Sequence, residues 1–144
     1  MHNTQVKELM TEEPTIISNK ATLKEAAEMM DAVDCGFLPI GTADRLEGVI
    51  TDRDIIVRAI SRGKNPDNEI VKDYMTVAAY GCNEDDFLED AADKMREHKI
   101  SRLVVRNHNG MVTGVLSFGG ILRKNANSDE VANVVKKAIH KSAA

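Results

Sequence analysis

The sequence predicts a mixed α/β (α+β) chain, built from two copies of a strand–helix–strand–strand–helix unit and closed by one further helix. Three observations carry this expectation. The first is an internal repeat: Val6-Lys7-Glu8-Leu9-Met10-Thr11 recurs as Val71-Lys72-Asp73-Tyr74-Met75-Thr76, an offset of 65. The same offset carries Leu23, Ala26, Ala27 and Met30 onto Leu88, Ala91, Ala92 and Met95, and Leu38 onto Leu103. One residue later in register, Gly48-Val49-Ile50-Thr51 aligns with Gly114-Val115-Leu116-Ser117. The second observation is that short β-branched runs alternate with apolar stripes at helical spacing. The third is a set of helix-start signals placed just ahead of those stripes.

Taken in order, Thr15 to Ser18 follows Pro14 as a short β-branched run and reads as a first strand. Thr22-x-x-Glu25 is a capping box, and Leu23, Ala26, Ala27, Met30 and Val33 follow on one helical face. Phe37 to Ile40 and Leu46 to Thr51 are the next two strands, joined by a turn holding Gly41, Asp44 and Arg45. A helix is predicted from about Asp52 to Arg62, ended by Gly63 and Pro66. The second copy repeats this order, with Asp86-x-x-Glu89 as its cap and Leu103-Val104-Val105 and Val112 to Ser117 as strands. The turn between those strands is Asn107-His108-Asn109-Gly110. The repeat boundaries fall at 1–65 and 66–125, which leaves 126–144 as a helical tail. In the tail, Ser128 can cap, Asp129 and Glu130 sit in the first turn, and Lys136, Lys137, His140 and Lys141 lie toward the end. That order suits the helix dipole. Val131, Val134, Val135, Ala138 and Ile139 form a stripe that can cover the module or meet another subunit.

Composition excludes several classes. The 144 residues carry a net charge of −4, so the basic excess of a general nucleic-acid binder is missing. Aromatics are 3% with no Trp, too few for a base-stacking platform. No apolar run reaches the ~18 residues of a membrane span, and Met1 to Met10 does not read as a signal peptide. The expected location is therefore cytoplasmic. Cys35 and Cys82 form no CxxC pair and read as two thiols in a reducing compartment, with a disulfide or redox role as the alternative. The four histidines are scattered, the acidic residues around Asp31 to Asp54 lack the calcium-loop spacing, and no metal is expected.

One motif carries chemistry. Gly48-Val49-Ile50-Thr51-Asp52-Arg53-Asp54 joins a strand directly to a helix, where free backbone N–H groups favour a bound phosphate. Thr51 and Asp54 lie on one side of that junction. A carboxylate there can accept hydrogen bonds from both hydroxyls of a ribose, as acidic residues do in dinucleotide folds. Thr51-x-x-Asp54 is equally a capping box, which needs no ligand and contributes on the order of 1 kcal/mol. A cap does not by itself require the preceding glycine and hydrophobic pattern in both copies.

The tandem repeats, the Met-Thr entrances, the Phe37-Leu38-Pro39-Ile40 strand and the Gly-h-x-[Thr/Ser]-x-x-Asp motif together resemble a pair of cystathionine β-synthase (CBS) domains, a Bateman module. The resemblance spans about residues 5–125. It implies two pseudo-symmetric β-α-β-β-α repeats packed through their sheets, a homodimer, and two clefts that take adenosine compounds such as AMP, ATP or NAD. One cleft would use Ile50, Thr51, Arg53 and Asp54, completed by residues near Asn83 and Asp85 and by Ile100 and Ser101. The other would combine Ser117 with Lys20, Thr22, Gly36 and Phe37. Lys20, Arg53, Arg58, Lys99 and Arg102 are the cations that phosphates could meet. The second motif holds Gly120 where the first holds Asp54, so its ribose would lose roughly 1.5–3 kcal/mol of charged hydrogen bonding.

The function these readings imply is non-enzymatic: a regulatory signal-transduction module that needs no cofactor, senses an adenosine nucleotide and acts on a separate protein effector. The alternative is a dimerising interaction module with no physiological nucleotide. An enzyme is the weakest reading, because no nucleophile stands beside a base.

Overall fold

In the computed structural model, residues 3–77, 80–124 and 128–139 are described. The elements run α1 (Val6–Leu9), β1 (Thr11–Glu12), α2 (Leu23–Val33), β2 (Phe37–Gly41), β3 (Leu46–Thr51), α3 (Asp52–Arg58), β4 (Gly81–Asn83), α4 (Leu88–His98), β5 (Arg102–Arg106), β6 (Val112–Ser117), α5 (Phe118–Arg123) and α6 (Ser128–Ile139). They group into two compact units. One is continuous, Pro14–Ala79; the other is split, combining Met1–Glu13 with Tyr80–Ala144. The sequence repeats and the compact units are thus different divisions of the chain, because each Met-Thr entrance folds with the other copy.

In the continuous unit, the Thr22 hydroxyl accepts from the Glu25 N–H at 3.0 Å and the Glu25 carboxylate accepts from the Thr22 N–H at 2.9 Å. The bond from the Thr22 backbone, then that from its hydroxyl, holds the Glu25 carboxyl below its ordinary range. Leu23, Ala26 and Met30 turn inward from α2, onto a core that includes Ile17, Leu38, Ile40, Ile50, Ile55 and Val71. β2 and β3 form an antiparallel hairpin with Phe37 opposite Thr51 and Ile40 opposite Gly48, interrupted by a shift at Gly41. The expected first strand is reduced to a single parallel bridge, Ile17 to Ile40. The expected helix through Arg62 stops at Arg58 and continues as a tighter 3-10 turn over Ile60–Arg62, closed by left-handed Gly63.

In the split unit the strand order is β1-β6-β5-β4, antiparallel except for the parallel β4–β5 pair. Leu88, Ala91, Ala92 and Met95 of α4 are all buried, with Leu103, Leu116 and Ile121 beside them. Asp86 does not cap this helix. The N-cap is Phe87, the positional equivalent of Thr22, and Asp86 instead accepts from the Asn83 N–H at 2.9 Å. The tail helix α6 covers α4: Val134 is buried and Lys137 pairs with Asp93 at 3.2 Å. On α2, Ala27 and Val33 stay exposed although the sequence stripe includes them. His140 and Lys141, and the side chains of Ser128, Glu130, Val131, Val135, Ala138 and Ile139, lie outside the described residues.

Both cysteines are free: Cys35 exposed, Cys82 buried on β4. Burial, with Asp86 nearby, pushes the Cys82 thiol up to about 12 from 9.0. The unfolded chain therefore loses this proton first as pH rises. The thiol's contribution to stability is whole below the unfolded value, and falls away from about pH 9 through about pH 12. Thiol labelling of the native chain at pH 8 is expected at Cys35 with Cys82 protected, and both should react in denaturant.

Candidate functional site

The second strand of each hairpin, β3 in the continuous unit and β6 in the split unit, leads directly into a helix entrance. β3 runs into α3 through Thr51, whose hydroxyl accepts from the Asp54 N–H at 3.0 Å while the Asp54 carboxylate accepts from the Thr51 N–H at 3.0 Å. The reciprocal cap is therefore fully formed. It does not exhaust the groups: Oδ2 of Asp54 spends one lone pair on it, and the Thr51 hydroxyl keeps its proton to donate. Arg58, one turn on, pairs with Oδ1 of Asp54 at 3.3 Å and donates to the Tyr74 carbonyl at 2.8 Å. Asp54 is only 15% exposed against 39% for Arg58, so the carboxylate sits under its partner.

Phe37 lies opposite Thr51 in the hairpin, and the Asp52 N–H donates to the Gly36 carbonyl at 3.0 Å. A Cβ on Gly36 would stand 2.5 Å from an Asp52 carboxylate oxygen, the end of an exposed side chain that would have to turn away. The structure thus gathers Gly36, Phe37, Thr51, Asp52, Arg53 and Asp54 at one end of the hairpin. Ile50 is adjacent in sequence, but its side chain is fully buried in the core. Lys20 and Thr22 are not brought to this end. They precede α2, whose 11 residues rise about 16 Å before Gly36 is reached.

In the split unit the helix entrance is poorer. The Ser117 hydroxyl accepts from the Gly120 N–H at 3.1 Å, but no carboxylate reaches back. The positions of Asp52, Arg53 and Asp54 hold Phe118, Gly119 and Gly120, and Phe118 packs onto the core. Ile100 also packs there, with Ser101 half-buried next to it. Asp85 stands at the other end of α4, again about 16 Å away by helix length. It pairs with Lys7 at 2.8 Å, which raises the Lys7 ammonium above its ordinary value. A Cβ on Gly120 would meet the Ser117 and Thr11 hydroxyl oxygens at 3.2 and 3.4 Å, both ends of side chains that can turn. Gly120→Asp is therefore expected to complete the capping box and raise stability by about 0.5–1 kcal/mol, read by denaturant unfolding.

The Met-Thr entrances reveal what the sequence motif alone did not. Thr11 pairs with Val115 on β6, and Thr76 bridges Val49 on β3, so each entrance is stitched to the third strand of the other copy. Gly48 and Gly114 lie under these crossings. A Cβ would stand 2.7 Å from the Thr76 carbonyl oxygen at Gly48 and 2.8 Å from that of Thr11 at Gly114. The recurrence of Met-Thr with Gly in both copies was the visible signal of this exchange. The Arg58–Tyr74 contact had no such signal, since it depends on how the chain returns past α3.

Two α/β units with equivalent hairpins, equivalent capped helix entrances and exchanged entry segments define a tandem-repeat module. A profile of the CBS domain matches residues 6–60 and 71–127, and the chain belongs to that family. It is 28% identical over 137 residues to the CBS domain-containing protein YhcV of Bacillus subtilis, across 95% of this chain and 96% of that protein. Hypoxic response protein 1 of Mycobacterium tuberculosis is 29% identical over 121 residues, covering 83% of this chain and 84% of its own. Among solved structures, the CBS domain pair of protein MJ0100 in complex with 5′-methylthioadenosine and S-adenosyl-L-methionine superposes with a TM-score of 0.73 at 26% identity. That match covers 83% of this chain and 94% of that one. CBS domain pairs are generally regulatory rather than catalytic. Among the described residues no helix is long and apolar enough to cross a membrane, and no three His, Cys, Asp or Glu side chains are grouped to hold a metal ion.

Proposed function

We propose that this CBS pair is a non-enzymatic regulatory module that binds an adenosine nucleotide, AMP, ATP or NAD, through the ribose, and passes the signal to a separate protein effector. The observation that carries the reading is the Thr51–Asp54 pair, a capped carboxylate that retains unused acceptor capacity beside a hydroxyl proton. The adenosine ligands of the MJ0100 pair support the ligand class. Asp54 accepts from the ribose hydroxyls, Thr51 donates to a sugar or phosphate oxygen, and Arg53 supplies charge. The Ser117 entrance is proposed as a weaker second ribose position, because Gly120 offers no carboxylate. The module acts on its effector only as far as the ligand favours one conformational state over another.

Calorimetric titration of the full chain with AMP, ATP and NAD tests the reading. Saturable binding of at least one is expected, and no binding up to millimolar concentration would overturn it. The second reading, a dimerising interaction module without a physiological nucleotide, is favoured by Ile56, Val57 and Ile60, exposed by 60%, 43% and 46% on and just beyond α3. Sedimentation in the absence of nucleotide shows whether that surface forms the expected homodimer.

A further inference from the structure

Arg58 touches both the proposed ribose carboxylate and the stretch of chain that leads out of the continuous unit. Its guanidinium is a rigid planar fork with donors on both arms and no acceptor. One arm faces Oδ1 of Asp54 at 3.3 Å, and the other donates to the Tyr74 carbonyl at 2.8 Å. Tyr74 closes the 3-10 turn over Val71–Asp73. The next two amides are held in turn: the Met75 N–H donates to Val71 at 2.9 Å and the Thr76 N–H to Val49 at 2.8 Å. Val49 lies on β3, two residues ahead of Thr51. Carboxylate, guanidinium, exit segment and strand therefore close a loop of contacts inside one unit. At the other helix entrance the corresponding residues are Gly120 and Lys124, so this fork has no counterpart there.

We propose that Arg58 is a positioning residue: it holds the Asp54 carboxylate in the orientation that receives the ribose, and through Tyr74 it couples ligand occupancy to the hold on Tyr74–Thr76. The physical basis is linkage. Oδ1 has a second lone pair and Oδ2 is steadied by the Thr51 N–H, so ribose hydroxyls add to the carboxylate without displacing the arginine. A ligand that prefers the Arg58-held orientation tightens that arrangement to the same degree that the arrangement favours the ligand. The segment so gripped runs on in the chain to Tyr80 and the split unit. This inference rests on the ribose reading of Asp54.

The test is amide hydrogen exchange on the full chain, with and without the tightest binder among AMP, ATP and NAD, in wild type, Arg58→Met and Arg58→Lys. In wild type, the ligand should slow exchange at Met75 and Thr76 by at least about threefold more than in the β2–β3 ladder, which reports global stabilisation. Arg58→Met should weaken binding by about tenfold and abolish the extra protection. Arg58→Lys keeps the charge but has a single ammonium that cannot serve both partners. It should bind within about threefold of wild type and still lose the extra protection. That separation of affinity from protection is one that a merely structural role would not produce. Nucleotide binding by wild type with the same extra protection in both variants would overturn the coupling and leave the ribose reading standing. No binding of any of the three nucleotides to wild type would overturn both.

Discussion

Asp54→Ala is expected to raise the dissociation constant for the adenosine nucleotide by about ten- to a hundredfold, since a hydrogen bond to a charged group is worth about 1.5–3 kcal/mol. The same substitution should also lower stability, and the two effects have separate origins. The Asp54 carboxylate is half of the cap on α3 and faces Arg58 at 3.3 Å. Losing the cap costs about 1 kcal/mol, and the loss of the partly exposed Arg58 pair adds to that. Thr51→Ala removes the other half of the cap at similar cost in stability. It should weaken binding less, because a neutral hydroxyl is lost where Asp54→Ala removes a charge. Calorimetry and denaturant unfolding on the same two variants separate ligand from cap. Equal nucleotide affinity in wild type and Asp54→Ala would mean that the carboxylate serves the helix alone.

The largest effect on folding is expected from Gly48→Val and Gly114→Val. Each adds a branched side chain where even a Cβ would stand within 3 Å of a backbone carbonyl and of a methionine sulfur, Met75 over Gly48 and Met10 over Gly114. The methionine can move but the carbonyl is pinned. At Gly48 the Val49 N–H donates to the Thr76 carbonyl at 3.0 Å. Overpacking of a closed site typically costs 1–3 kcal/mol, and losing the strand crossing puts these variants at about 3 kcal/mol or beyond. Adding Met75→Ala to Gly48→Val should recover only the part due to the sulfur, so the double variant stays well below wild type in chemical denaturation. Near-complete rescue would show that the side chain, rather than the backbone crossing, demands the glycine.

The hairpin Phe37–Thr51, the capping boxes at Thr22 and Thr51 and the buried Leu23, Ala26 and Met30 were legible, because each depends on neighbours within a few positions. The same local logic misplaced the second cap on Asp86. A carboxylate ahead of a helix also bonds within its own turn, and here the Asn83 N–H claimed it. The candidate site was legible in part. Thr51 and Asp54 were found from their spacing, while Ile50, adjacent in sequence, points into the core by strand alternation. Lys20 with Thr22, and Asp85, follow only from the family resemblance, and they stand a helix length from Gly36 with Phe37 and from Ile100 with Ser101 respectively.

By itself the sequence determined the duplication, the α/β class, the two main helices with their following hairpins, and the capped Thr51-x-x-Asp54 entrance. Periodicity, capping and turn chemistry are local properties, and a repeat is visible without any fold. Tertiary structure alone decided which copy receives each Met-Thr entrance, why Gly48 and Gly114 must be glycine, and that Arg58 joins Asp54 to Tyr74. It also decided that the tail helix covers α4 while Ala27 on α2 stays exposed. Those outcomes depend on contacts between residues far apart in the chain. Two repeats with matching Gly-Val strands offer each entrance two similar strands to join, and only the packed chain selects between them.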